Sequence, residues 1–189
     1  MKNIAIFASG SGTNAENLIQ FFRTSDFGRV QLVLSNQAKA GVIDRAEKLH
    51  TEVFVFNREQ FYQKNEVLTL LFERAIDFVV LAGFLWLVPE TLLQAFEGRI
   101  INIHPALLPK YGGKGMYGSR VHEAVIQAGE KESGITIHHV NARYDEGGII
   151  FQARCPVEEG DRPEDLAARI HQLEYEHFPK VVEKLLKDL

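Results

Sequence analysis

Asn102, His104 and Pro105 stand together in the run RIINIHPALLPKYGG, Arg99 to Gly113. Ile101 and Ile103 alternate with the amide and the imidazole, so in a strand Asn102 and His104 share one face. Pro105 stops ladder pairing and turns the chain. An imidazole at such a strand end can serve as general acid or base near neutral pH. The neighbouring amide can donate a hydrogen bond to an oxygen on which charge develops. A lone histidine there usually reads as a capped strand end; an amide and an imidazole together favour chemistry. Asp145, in YDEGG, can orient or charge-stabilise a histidine, or can be a turn aspartate beside glycines.

A second candidate is FASGSGTN, Phe7 to Asn14, where small residues follow an apolar run and open a helix. Free N–H groups at a helix start favour an anion, and glycines let a ligand approach the backbone. The P-loop lysine is missing, and the glycines do not fit the dinucleotide spacing. Gly12, Thr13 and Asn14 therefore suit a phosphorylated small molecule better than a dinucleotide, with a tight strand-to-helix turn as the plain alternative. Among the histidines, His138 and His139 are consecutive in a β-rich run and must face opposite ways, which leaves His138 as a cleft candidate. His122 reads as a helix start. His50, His171 and His177 read as surface or helix-packing residues. No His, Cys or carboxylate cluster has metal-ligand spacing, so no metal is expected.

These residues need a scaffold. Ile4–Ala8, Val30–Ser35, Val53–Phe56, Phe78–Gly83 and Arg99–His104 read as strands, several of them apolar at consecutive positions, as strands covered on both faces are. Helical patterns lie between them at Thr13–Arg23, Gly41–Leu49, Arg58–Ala75 and Pro89–Phe96. The alternation predicts an α/β, Rossmann-like, mostly parallel twisted sheet with right-handed crossovers. Gly134–Val140 and Gly148–Val157 read as an antiparallel pair, and Pro163 opens a long C-terminal helix that Pro179 is expected to kink or split. In an open parallel sheet ligands bind beyond the carboxyl ends of the strands, which is where Asn102 and His104 fall.

The 189 residues are 46% hydrophobic and 24% charged, which suits one α/β domain over residues 1–189. Net charge is −4, with no basic block to meet a nucleic acid. The single cysteine, Cys155, admits no internal disulfide and fits a reducing compartment. The first apolar run is too short for a signal or a membrane span, so a cytoplasmic protein without membrane or nucleic-acid partners is expected, as monomer or homodimer.

The motifs NIHPALLP, SGSGTN and YDEGG resemble those of the phosphoribosylglycinamide formyltransferase family, folate-dependent enzymes of purine synthesis. The resemblance extends to SNQAKAG (Ser35–Gly41), VVLAGF (Val79–Phe84) and ARIHQLEYEHFP (Ala168–Pro179), and so covers nearly the whole chain. The Asn-x-His-Pro segment is shared with other 10-formyltetrahydrofolate enzymes; SGSGTN is the narrower marker. What the resemblance implies is transfer of a formyl group from 10-formyltetrahydrofolate, as cosubstrate, to the amine of glycinamide ribonucleotide. By position it implies Asn102, His104 and Asp145 as the catalytic trio. It implies Gly12, Thr13 and Asn14 at the substrate phosphate and Glu174 at the ribose. It implies Arg58 at the folate tail, with Leu85, Trp86, Leu87, Val88, Asn102 and Asn141 around the pterin. In that mechanism Asn102 and a protonated His104 stabilise an oxyanion, and Asp145 raises the His104 pKa.

Three features depart from the family pattern. Trp86 stands where many relatives have a basic residue. GGKGMYGSRVHEAV, Gly112–Val125, is longer than the matching loop of familiar bacterial relatives, and DEGG replaces DGGP after Tyr144. The rival readings are a methionyl-tRNA formyltransferase, a formyltetrahydrofolate hydrolase and a nucleotide-binding regulator without chemistry. The first two usually carry an additional domain, and the trio argues against the third.

Overall fold

The computed structural model describes every residue, Met1–Leu189. Seven strands form one sheet in the order β3-β2-β1-β4-β5-β6-β7. β1 (Lys2–Phe7), β2 (Gly28–Ser35), β3 (Glu52–Val55), β4 (Phe78–Leu81) and β5 (Ile100–His104) run parallel. β6 (Glu132–His139) runs against β5, and β7 (Ile149–Pro156) against β6. The expected parallel sheet with a late antiparallel pair is the fold observed. β4 is buried at all four positions, as an apolar strand in mid-sheet must be, whereas the edge strand β3 exposes both Glu52 and Val55.

Helices cover both faces. α1 (Thr13–Phe22), α2 (Gly41–Lys48), α6 (Ser119–Gln127) and α7 (Pro163–Lys187) close a core that includes Ile6, Val80, Ile101, Ile137 and Phe178. On the other face α3 (Arg58–Tyr62), α4 (Glu66–Glu73) and α5 (Glu90–Ala95) pack over Phe7, Leu34, Val79 and Phe96. The order of connection reverses between β1 and β4, so the loops leaving these two strands diverge and open a crevice at their carboxyl ends. Ser9 ties the loops together: its N–H donates to the Gly83 carbonyl at 3.0 Å, and its hydroxyl accepts from Leu85 N–H at 3.1 Å.

Two helix expectations are corrected. Arg58–Ala75 is two helices, not one. Asn57 begins α3 with a capping box to Gln60, and Asn65 takes a left-handed conformation at φ 53° that breaks the path before α4. Phe72, in α4, is 59% exposed and stacks on Phe96. Pro179 does not split α7; the helix runs through it for 25 residues. Proline removes the N–H that would bond the carbonyl four residues back. That carbonyl, Tyr175 O, accepts from the Asn17 side chain at 3.1 Å, so the loss is made good from α1.

Candidate active site

The alternation of β5 places Asn102 and His104 on the sheet face away from Ile101 and Ile103, at the crevice. Register does the rest. β6 sets His138 opposite Asn102 and Thr136 opposite His104, so the antiparallel turn of the sheet brings a second histidine to the pair. Asp145 arrives from the β6–β7 loop at φ 57°, a left-handed conformation that an aspartate tolerates. Its Oδ1 lies 3.4 Å from Asn102 Nδ2 and 3.5 Å from His138 Nε2. Its Oδ2 lies 3.5 Å from His104 Nδ1 and accepts from Gly113 N–H at 3.0 Å. The three residues expected to act together are therefore brought together, and His138 joins them.

Neighbouring carbonyls settle the tautomers. His138 Nδ1 lies 2.8 Å from the His139 carbonyl and donates to it; in the neutral ring Nε2 then accepts from Asn102 at 3.1 Å, and in the charged ring it donates to Asp145 Oδ1 instead. His104 Nε2 lies 2.7 Å from the Tyr111 carbonyl and likewise donates. Its Nδ1 is then a bare lone pair facing Asp145 until it takes a proton. Asp145 does pull the His104 pKa up, as expected, but the net direction is down. Burial of the ring, only 4% exposed, pushes the pKa below 6.5 by more than Asp145 and the Tyr111 carbonyl pull it up. His104 is therefore neutral at neutral pH. Burial also pushes the Asp145 carboxyl up, but hydrogen bonding with His138, the field of His104 and the Gly113 N–H together hold it below the ordinary 3.8.

The cleft above this group is a cavity of about 770 Å³. At its far end lies the start of α1. Gly12 caps that helix at φ 78°, and a Cβ there would stand 2.4 Å from Val42 Cβ, so only glycine fits the turn. Ser11, Gly12, Thr13 and Asn14 line the cavity, with no side chain capping the helix. The first-turn N–H groups are thus left for an anion. Glu174, from α7, is 4% exposed and accepts from Asn14 Nδ2 at 2.9 Å; its Oε2 also lies 2.9 Å from His171 Nδ1. Gly12, Thr13, Asn14 and Glu174 thus share one end of the cavity.

The residues expected at the folate are less concentrated. Leu85 lines the cavity, and its carbonyl lies 3.5 Å from the Tyr144 hydroxyl across the opening. Trp86 packs against Phe56 and Phe61, and Val88 is buried in the same core. Tyr62 donates to the Leu87 carbonyl at 2.8 Å. Arg58 stacks over Trp86, 4.8 Å from the ring centroid, and lies outside the cavity wall. Asn141 is exposed outside the wall as well, accepting from Arg143 N–H at 2.9 Å.

Two cavity residues escaped the sequence reading. His171, read as surface or helix packing, lines the cavity beside Glu174, whose hydrogen bond raises its pKa. His122, read as a helix start, sits one turn into α6, 5% exposed, on the cavity wall. Helical spacing held a signal for the first: His171 and Glu174 are three apart and share a helix face. Gly113–Arg120, within the Gly112–Val125 segment that departs from the family pattern, forms a wall of the cleft. No group of three or more His, Cys, Asp or Glu is placed to hold a metal ion.

The chain belongs to the formyl transferase family, whose model matches residues 2–182. Within it the chain is similar to phosphoribosylglycinamide formyltransferases. It is 36% identical over 191 residues to the one from Bacillus subtilis strain 168, covering 98% of this chain and 95% of that protein. It is 40% identical over 187 residues to the chloroplastic one from Arabidopsis thaliana, covering 96% of this chain. It spans 64% of that plant protein's length and 62% of its counterpart's in Vigna unguiculata. Among solved structures, the enzyme from Streptococcus pneumoniae TIGR4 superposes with a TM-score of 0.86 at 39% identity, over 98% of this chain and 99% of that one. The one from Anaplasma phagocytophilum gives 0.90 at 35% identity, over 99% and 87%.

Proposed function

We propose that this chain transfers the formyl group of 10-formyltetrahydrofolate to the amine of glycinamide ribonucleotide, a step of de novo purine synthesis. The observation that carries the reading is the convergence of Asn102, His104 and Asp145 within 3.5 Å contacts at the floor of a cleft whose far end is an uncapped helix start. The phosphate of the acceptor would meet Gly12, Thr13 and Asn14, and its ribose Glu174. The donor would enter past Leu85–Val88, with Arg58 and Asn141 at its outer end. The similarity to phosphoribosylglycinamide formyltransferases supports this choice of substrates.

In this mechanism the amine lone pair attacks the formyl carbon and the carbonyl electrons move to oxygen. Neutral His104 accepts the proton lost by the attacking nitrogen. The imidazolium so formed faces Asp145 and, with Asn102, stabilises the oxyanion. As the carbonyl re-forms and the bond to the folate N10 breaks, His104 returns the proton to N10. The charge on His104 thus appears when the oxyanion does, which suits a ring that starts neutral. The Asn102 contact to Asp145, at 3.4 Å, is long, so a formyl oxygen displaces only a weak bond on arrival. No covalent enzyme intermediate is needed, and holding both substrates together supplies much of the rate.

The test is a steady-state assay with 10-formyltetrahydrofolate and three acceptors in turn: glycinamide ribonucleotide, charged initiator tRNA and water. Transfer to glycinamide ribonucleotide alone is expected. Release of formate without an amine acceptor, or transfer to tRNA, would replace the reading by one of its rivals.

A further inference from the structure

His122 has no role in the mechanism above and no structural partner to explain its burial. It lies in α6 on the wall of the main cavity, 5% exposed. His171, Glu174 and His104 line the same cavity and are near enough for their charges to act on it. Its Nδ1 is sealed from solvent and has no hydrogen-bond partner, while Nε2 has no protein partner either but is not sealed. A buried lone pair without a donor is tolerated better than a buried N–H without an acceptor. The ring therefore keeps its proton on Nε2, the nitrogen open to the cavity. Burial first, and the field of His171 second, also push its pKa below 6.5, so the ring is a neutral donor.

We propose that His122 is a substrate-binding residue: its Nε2–H donates to an oxygen of the phosphoribosyl acceptor, in the middle of the cleft between Glu174 and His104. This rests on the reading of the cleft given above. A neutral donor suits that place. It can hold a hydroxyl or carbonyl oxygen without attracting the substrate phosphate away from the α1 terminus. It also supplies an unfilled donor that the ligand would satisfy, so its loss should cost affinity for one substrate only.

The experiment is calorimetric titration of the purified full chain with glycinamide ribonucleotide and, separately, with the folate donor. Three variants are compared with the unaltered chain, each checked by circular dichroism and thermal melting. His122→Phe keeps the ring and removes the donor; affinity for glycinamide ribonucleotide should fall about tenfold, the size of one net hydrogen bond to a neutral group. His122→Gln carries an amide N–H to the position of Nε2 and should stay within about threefold on the same scale. His122→Asn reaches only the Nδ1 position and should behave like the phenylalanine variant, which keeps the test decisive if that variant does not fold. Folate affinity should not change in any of them. Unchanged acceptor affinity in both Phe and Asn variants would overturn the proposal. Equal losses in Gln and Phe, or matching losses for both ligands, would make His122 a packing residue and overturn it too. Because binding is read directly, a chain that binds glycinamide ribonucleotide but transfers no formyl group would refute the proposed function and leave this assignment to be judged on its own.

Discussion

Asp145→Asn removes one charge and little volume, yet it touches both the fold and the reaction. The carboxylate faces four nitrogens through two oxygens: Asn102 and His138 at Oδ1, His104 and Gly113 N–H at Oδ2. An asparagine keeps one acceptor oxygen and turns an NH₂ toward the other pair. Either the Gly113 contact or the Asn102 contact survives, but not both. Asparagine tolerates the left-handed φ of 57°, so the turn itself is retained. Losing the charge-assisted contacts should destabilise the fold by about 1–2 kcal/mol, less than their gross worth because burial of the charge is relieved at the same time. The effect on rate should be larger. Without the carboxylate, the strongest support for the imidazolium that His104 must become is lost, and kcat should fall roughly 100–1,000-fold, about 2.7–4 kcal/mol of transition-state stabilisation. KM for either substrate should stay within about threefold, since the lost interaction is made mainly in the transition state. Steady-state kinetics and urea denaturation read the two effects separately. The acid limb of stability gives a third measurement. The folded pKa of Asp145 lies below its ordinary 3.8, so its contribution is present above 3.8 and is lost as pH falls through the folded value. That portion of the acid limb should vanish in the variant. A folded Asp145→Asn protein with near-normal kcat would refute the role given to the His104–Asp145 pair.

Gly12→Ala should destabilise by at least about 1–2 kcal/mol from the left-handed φ alone, and more from the 2.4 Å approach to Val42, read as a lower urea midpoint. Phe178→Ala empties a fully buried site under α7 and should cost about 3–5 kcal/mol in the same measurement. The histidines should give stability a pH dependence of worked sign. His104 and His122 have folded pKa values below 6.5, so the unfolded chain binds more protons in that window. Their contribution is complete above 6.5 and is lost as pH falls through the folded values. His171 runs the other way: its folded pKa is raised, so its contribution is complete below 6.5 and is lost as pH rises. Denaturation at a series of pH values should show His171→Gln steepening the rise in stability between acid and neutral pH.

The sheet was legible in the sequence because β4 and the other strands facing both helical layers must be apolar on consecutive positions. The Asn102–His104 pair was legible because strand period fixes which side chains share a face. The gap between α3 and α4 was not, because a left-handed Asn65 leaves the apolar spacing on either side intact. The survival of α7 through Pro179 was hidden for another reason: the compensating group, Asn17, sits in a different helix. The place of His122 was hidden because its helix spacing says only which face it occupies, and that face borders a cavity rather than core or solvent. The direction of the His104 pKa was equally out of reach, since charge partners can be guessed from motifs, whereas burial depends on the whole packed structure.

The contact between Asn14 and Glu174 spans 160 residues of chain. The parallel strands β1 to β5 can pair without anything beyond His104, yet that half of the molecule holds only part of the site. Asp145 and Glu174 come from elements later in the chain. A ribosome therefore releases most of the sheet before it releases a complete cleft, and a nascent chain has the glycine-rich turn and the Asn-x-His segment while it is still unable to hold both ends of a substrate. Such distant contacts form late, after the entropy of closing long loops has been met. Function thus becomes a report of completed folding, and any cleavage between residues 104 and 145 that separated the two parts would silence the site without touching a residue in it.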